Sequence, residues 1–111
     1  MIRKNNEVIV DARFCNSVIS KAFGLRFRKK PVDKALIFTF DSPKTVLMDM
    51  WFVFYPIDVV FLDSDKKVVE IKEKFLPFSF YKSNKKAVYI IEFENGIIKK
   101  NNISIGEKLI F

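Results

Sequence analysis

The sequence predicts a mainly β protein, an antiparallel β-sandwich or barrel-like domain with one or two short helices. Three observations carry this. Apolar and polar residues alternate with period two in several separate runs. Turn signals such as "DSPK" and "SDKK" divide those runs at short intervals. Half of the 111 residues are apolar and 13 are Phe, so there is ample material for a core. With only 3 Gly and 4 Pro the chain is not linker-rich, and no internal repeat is present. A single domain spanning 1–111 is expected.

"EVIVDARF", Glu7 to Phe14, alternates cleanly. It reads as one strand with Val8, Val10, Ala12 and Phe14 on the buried face. "CNSVISKAFG" follows. Asn16 or Ser17 can cap a helix, Cys15, Val18, Ile19, Ala22 and Phe23 form its apolar stripe, and Gly24 supplies a left-handed stop. After a basic loop, "KALIFTF" reads as a strand, and "DSPK" as a turn with Pro43 in its second position. "TVLMDMWFVF" reads as another strand, closed by Pro56, which cannot donate to a ladder. "DVVFLD" is the next strand and "SDKK" its turn. "VVEIKEKF" returns, with Val69, Ile71 and Phe75 opposed to Glu70, Lys72 and Lys74. "LPFSFYKSNKK" reads as a loop and "AVYIIEFE" as a strand. The tail reads as a helical turn, a turn at Gly106 and a final strand.

The net charge is +7, from 20 basic and 13 acidic residues. That excess favours an acidic partner. It also fits a Lys-, Ile- and Asn-rich composition without Gln, of the kind associated with A/T-rich genomes or hot environments. Cys15 is the only cysteine, so no internal disulfide can form, which fits a reducing cytoplasm. The N-terminal stretch has no apolar h-region. The longest uncharged apolar run, Met50 to Ile57, is too short to cross a bilayer, so no membrane insertion is expected.

The residue inventory removes much chemistry. There is no His, the commonest general base and metal ligand. A lone Cys without His makes a poor nucleophile. No zinc pattern and no Gly-rich phosphate loop occurs. Asp63-Ser-Asp65 begins like a calcium loop but lacks its glycine, and Lys67 takes a ligand position, so it reads as a turn. No metal and no cofactor are expected. Carboxylates remain: Asp49 interrupts one apolar run, and Asp58 follows Pro56. Each has an ordinary alternative, edge exposure for Asp49 and a turn-holding acceptor for Asp58. "GLRFRKK" and "FSFYKSNKK" interleave basic and aromatic residues, as single-strand binders do.

Several segments together resemble a known family. "GLRFR", "LIFTF", "MWFVFYPIDVVFLDSDKKVVEI", "YIIEFENG" and "ISIGEKL" occur in the order of DUF192, also known as UPF0127, a widespread uncharacterised prokaryotic family. The resemblance runs from about Ser17 to Leu109. "FYPIDVVFLD" and "PFSFY" look like its archaeal branch. Gly24, Leu25 and Arg28 match its Gly-Leu-Met-x-Arg element, with Arg26 in place of Met. Leu36, Ile37 and Phe38 match its Met-Leu-Phe element. Met50, Pro56, Asp58 and Asp63 match directly. Asp49 stands where relatives often carry a basic residue or His. Glu92, Gly96, Gly106 and Glu107 match the closing element, with Glu107 for the usual Asp. The resemblance implies a compact β-sandwich-like domain with a small helix and no established activity.

Three functional readings follow. The first is a non-enzymatic binding domain for a small polar ligand or peptide, with a site around Arg28, Met50, Phe52, Asp58 and Glu92. The second is nucleic-acid binding through Arg26, Arg28, Lys29, Lys82, Lys85 and Lys86. The third is an enzyme using Asp58 or Glu92 as acid or base; a pocket that brings the two within hydrogen-bond reach would favour it, and separation on opposite faces would exclude that pair.

Overall fold

The structure is a computed structural model that describes residues 1–5, 7–15, 35–51 and 53–111. The expected helix at Asn16 to Phe23 lies outside the described residues, as do Arg26, Arg28, Lys29 and Phe52.

The protein is mainly antiparallel β. A five-stranded sheet forms its centre, in the order β3 (Ala12–Cys15), β4 (Ala35–Lys44), β9 (Ala87–Glu94), β6 (Ile57–Leu62), β7 (Val68–Phe75). All pairs are antiparallel except β3 with β4, which run parallel. Among the described residues, two small ribbons complete the strands: β1 (Ile2–Lys4) with β2 (Glu7–Val10), and β5 (Leu47–Asp49) with β8 (Phe80–Lys82). One short helix, α1 (Ile97–Lys100), follows β9. The sheet is open, ending at β3 and β7 among the described residues, so the architecture is sandwich-like and not a closed barrel.

Both faces of the sheet are covered. On one face, Leu36, Phe38, Ile57, Val59, Phe61 and Ile90 pack beneath Met50, Val53 and Tyr55. On the other, Ile37, Val60, Leu62, Ile91 and Phe93 pack beneath Ile2, Ile98, Ile103 and Leu109. Burial on both faces explains why β6 is apolar almost throughout, unlike an alternating one-sided strand. Phe61, Phe75 and Phe93 are fully buried, each contributing roughly 1.5–3 kcal/mol of transfer free energy.

Five features differ from the sequence expectation. The stretch "LPFSFYKSNKK", read as a loop, contains β8, whose three residues pair with β5 while Tyr81 packs against the core. Glu7 to Phe14 is not one strand. The chain changes sheets at Asp11, whose carboxylate accepts the Ala12 N–H at 3.0 Å and whose carbonyl accepts the Ala35 N–H at 2.9 Å. Val8 and Phe14 are consequently about half exposed, because the two halves no longer share a buried face. Pro43 lies within β4 and not in a turn; the register shifts between Thr39 and Lys44, where the strand runs past regular pairing and tolerates a missing donor. Only Leu47–Asp49 of the "TVLMDMWFVF" run is a strand. From Met50 the backbone turns, inserting Met50, Val53 and Tyr55 into the core and leaving Trp51 and Phe54 outside. The final strand reduces to isolated bridges, Lys67 to Lys108 and Arg3 to Ile110, beyond a turn at Gly106 with φ 94°.

Candidate functional site

Asp58 occupies the second position of β6, on the face that carries Phe93, its cross-strand partner. It is 1% exposed. Its carboxylate accepts three main-chain hydrogen bonds at 3.0 Å, from Lys74 through one oxygen and from Gly96 and Ile98 through the other. Each contact has a local cause. Lys74 has φ 50°, a bulge in β7 opposite Asp58, and the bulge turns its N–H away from the ladder. Gly96, φ 96°, is the N-cap of α1 and has no side chain to cap with. Asp58 supplies that acceptor from another strand. A buried charge is tolerated only when hydrogen-bonded in this way.

Glu92 sits near the middle of β9, between Leu36 on β4 and Val59 on β6. Asp58 pairs with Phe93, one position on, so Asp58 and Glu92 lie on opposite faces of the sheet. They cannot share a proton or a substrate. Glu92 shares its face with Leu36, Val59 and the inserted Met50, Val53 and Tyr55. Its side chain is partly open to solvent, and its carboxylate makes no hydrogen bond or ion pair among the described residues. Removal of water by the surrounding protein raises its pKa from 4.5 to about 7. The solvent-facing part of the side chain keeps the penalty below that of full burial.

Met50 is buried and acts through its backbone as well. Its N–H donates to Ser79 at 2.7 Å, and its carbonyl accepts from Val53 and Phe78. Trp51 and Phe54, each about half exposed, pack edge-on against Phe78 at ring distances of 6.2 and 5.6 Å.

Of the lysines in the nucleic-acid reading, the three among the described residues fall together at the end of β8 and the turn after it. Lys82 ends β8, and Lys85 and Lys86 follow in the turn to β9. That turn is tied down by a residue the sequence reading placed on a polar surface. Glu70 is 7% exposed, and its carboxylate accepts the N–H groups of Asn84 and Lys85 at 2.8 Å and the hydroxyl of Tyr81. The hydrogen bond to Glu70, then burial and the charge of that carboxylate, push the Tyr81 phenol up to about 12. Lys72 lies over the Tyr81 ring at 5.2 Å. The one hint of this in sequence is the "SNKK" turn, whose N–H groups need an acceptor. Asp63 behaves as the turn residue expected, accepting from the N–H groups of Asp65 and Lys67.

A family profile described as DUF192, Uncharacterized ACR, matches residues 1–111. The chain belongs to DUF192. Curated relatives of this DUF192 protein include a UPF0127 protein of Pyrococcus furiosus, 30% identical over 108 residues, covering 97% of this chain and 92% of the relative. A UPF0127 protein of Thermococcus sibiricus is 36% identical over 97 residues, covering 82% of this chain and 62% of the relative. These archaeal sources agree with the archaeal-type spelling of the Pro56-Ile57-Asp58 segment. Among solved structures, one from Sinorhizobium meliloti, described as a "putative transcription regulator", superposes with TM-score 0.82 at 25% identity over 89% of this chain and 79% of that one. A protein of unknown function from Novosphingobium aromaticivorans has TM-score 0.81 at 20% identity over 90% and 74%, a likeness of fold alone.

Proposed function

We propose that this DUF192 protein is a small non-enzymatic binding domain whose ligand contact is Glu92. The observation that carries this reading is a carboxylate near the centre of the central strand, crowded enough to titrate near neutrality, without a partner among the described residues. Protein carboxylates in such surroundings are ordinarily paired, and an unpaired one with a displaced pKa is a site candidate. The ligand class is a small polar molecule or peptide side chain that brings a cationic or hydrogen-bond-donating group, with an apolar stem to lie against Leu36 and Val59. Asp58 and Met50 support the site from a distance, as parts of the frame. Asp58, the other member of the pair first considered, lies on the opposite face of the sheet, which argues against the two acting as an acid–base pair. A cytoplasmic location fits the single Cys15.

The test is a thermal-shift screen of amines and basic peptides against the wild type and Glu92→Gln. A ligand that raises the wild-type midpoint at pH 8, loses most of that effect at pH 5 and has none on Glu92→Gln supports the reading. Ligands that shift both proteins equally, or none at all, refute it.

A second reading is nucleic-acid binding through Lys82, Lys85 and Lys86, together with Arg26, Arg28 and Lys29. It is favoured by the net charge of +7 and by the description of the Sinorhizobium structure. It requires oligonucleotide binding that weakens steeply with salt and drops when Lys85 and Lys86 become Ala. Retention of binding in that variant removes these lysines from consideration.

A further inference from the structure

Among the described residues, five exposed apolar side chains lie on or beside the β5–β8 ribbon. Leu47 is 67% and Phe80 70% exposed, and Trp51, Phe54 and Phe78 beside them are 44–50% exposed. These five expose on the order of 500 Å² of apolar surface, toward the upper end of what a monomer ordinarily leaves in one patch and of a size that often marks an interaction site. We infer that this face is the contact between two copies of the chain.

The register supplies the argument for a second copy. Leu47 pairs with Lys82, and Asp49 pairs with Phe80. Alternation puts these four side chains on the outward side of the ribbon, while Met48 and Tyr81 point inward against the core. The outward side therefore has an apolar diagonal, Leu47 to Phe80, and a charged diagonal, Asp49 to Lys82. A two-fold axis along the apolar diagonal places like apolar groups on each other and sets Asp49 of one copy over Lys82 of the other, twice. A self-complementary patch of this kind is what a two-fold contact requires. One charge of each sign also suits a copy of itself better than a polyanion. The area agrees: a standard interface buries roughly 800 Å² per partner, somewhat more than half of it apolar. The Trp51 N–H bonded to Asp49 at 3.3 Å ties the aromatic end of the patch to its charged end.

Sedimentation velocity decides the matter, with circular dichroism as the check on folding. The wild type is expected to be dimeric at high micromolar concentration and to dissociate on dilution, with a shift in Trp51 emission. Asp49→Lys and Lys82→Asp should each weaken the dimer by about tenfold or more, because each places like charges together. An equimolar mixture of the two variants should restore it, since their altered charges are complementary. A wild type that stays monomeric, single variants that dimerise as before, or a mixture that remains monomeric would each overturn the inference. So would a monomer whose Trp51 face takes up an acidic peptide or an oligonucleotide instead.

Discussion

Asp58 spends both carboxylate oxygens on main-chain donors from two other parts of the chain, the β7 bulge and the start of α1. Hydrogen bonds to a charged acceptor are stronger than neutral ones, and a buried N–H left without an acceptor carries a penalty of its own. Asp58→Ala strands all three donors at once, so the expected loss is about 3 kcal/mol. Asp58→Asn keeps one oxygen and turns its amide N–H groups toward a donor, so roughly half of that loss is expected. Urea melts of the two variants measure this. An Asp58→Ala midpoint equal to that of the wild type would mean that the three bonds contribute nothing and that the residue is kept for another purpose. Glu92 is the opposite case on the other side of the same pair of strands: a carboxylate that the fold encloses without satisfying.

At the scale of elements, the β8–β9 turn depends on a single acceptor, Glu70. Glu70→Ala should leave the five-stranded sheet folded while amide exchange at Asn84 and Lys85 speeds up, since both N–H groups lose their partner. Protection unchanged at those two amides would contradict the clamp. Tyr81 provides a second readout. Its folded pKa, about 12, lies above the unfolded value of 10.0. The stability it contributes is therefore fully present below pH 10 and is lost as pH rises from 10 toward 12. Ultraviolet titration should show a late step that Tyr81→Phe removes. If the titration above pH 10 is the same in wild type and Tyr81→Phe, the Tyr81–Glu70 bond is absent in solution.

For the whole molecule, sequence patterning located the strands that build the central sheet where their burial is simple. β9 alternates, and β6 is a short apolar run bounded by Pro56 and the Asp63 turn. Patterning failed where burial and strand geometry part company. The apolar run after β5 fills the core as a turning segment, so its apolar density resembles a strand that does not exist. The change of sheet at Asp11 is invisible because both halves alternate in phase. Of the candidate site, Asp58 stood out as a carboxylate beside Pro56 in an apolar stretch, Met50 and Glu92 came from family resemblance, and no pattern could have told that the register sets Asp58 and Glu92 on opposite faces. The central claim is that Glu92 is the carboxylate left open to a ligand, and its cost to the free protein is measurable. Its folded pKa of about 7 exceeds the ordinary 4.5, so the folded state holds a proton that the unfolded chain has already lost. The contribution of Glu92 to stability is then greatest below pH 4.5 and declines as pH rises to 7, by on the order of 2 kcal/mol. Glu107 has a shift of the other sign: its burial is outweighed by hydrogen bonds from Ser104 and Lys4, which lower its pKa. It is common to wild type and variant and cancels in their difference. The decisive measurement is the unfolding free energy of the wild type and of Glu92→Gln across pH 4 to 8. The two curves should converge at low pH and separate on the way to pH 7, with the variant the more stable; curves that run parallel across the range would contradict the account.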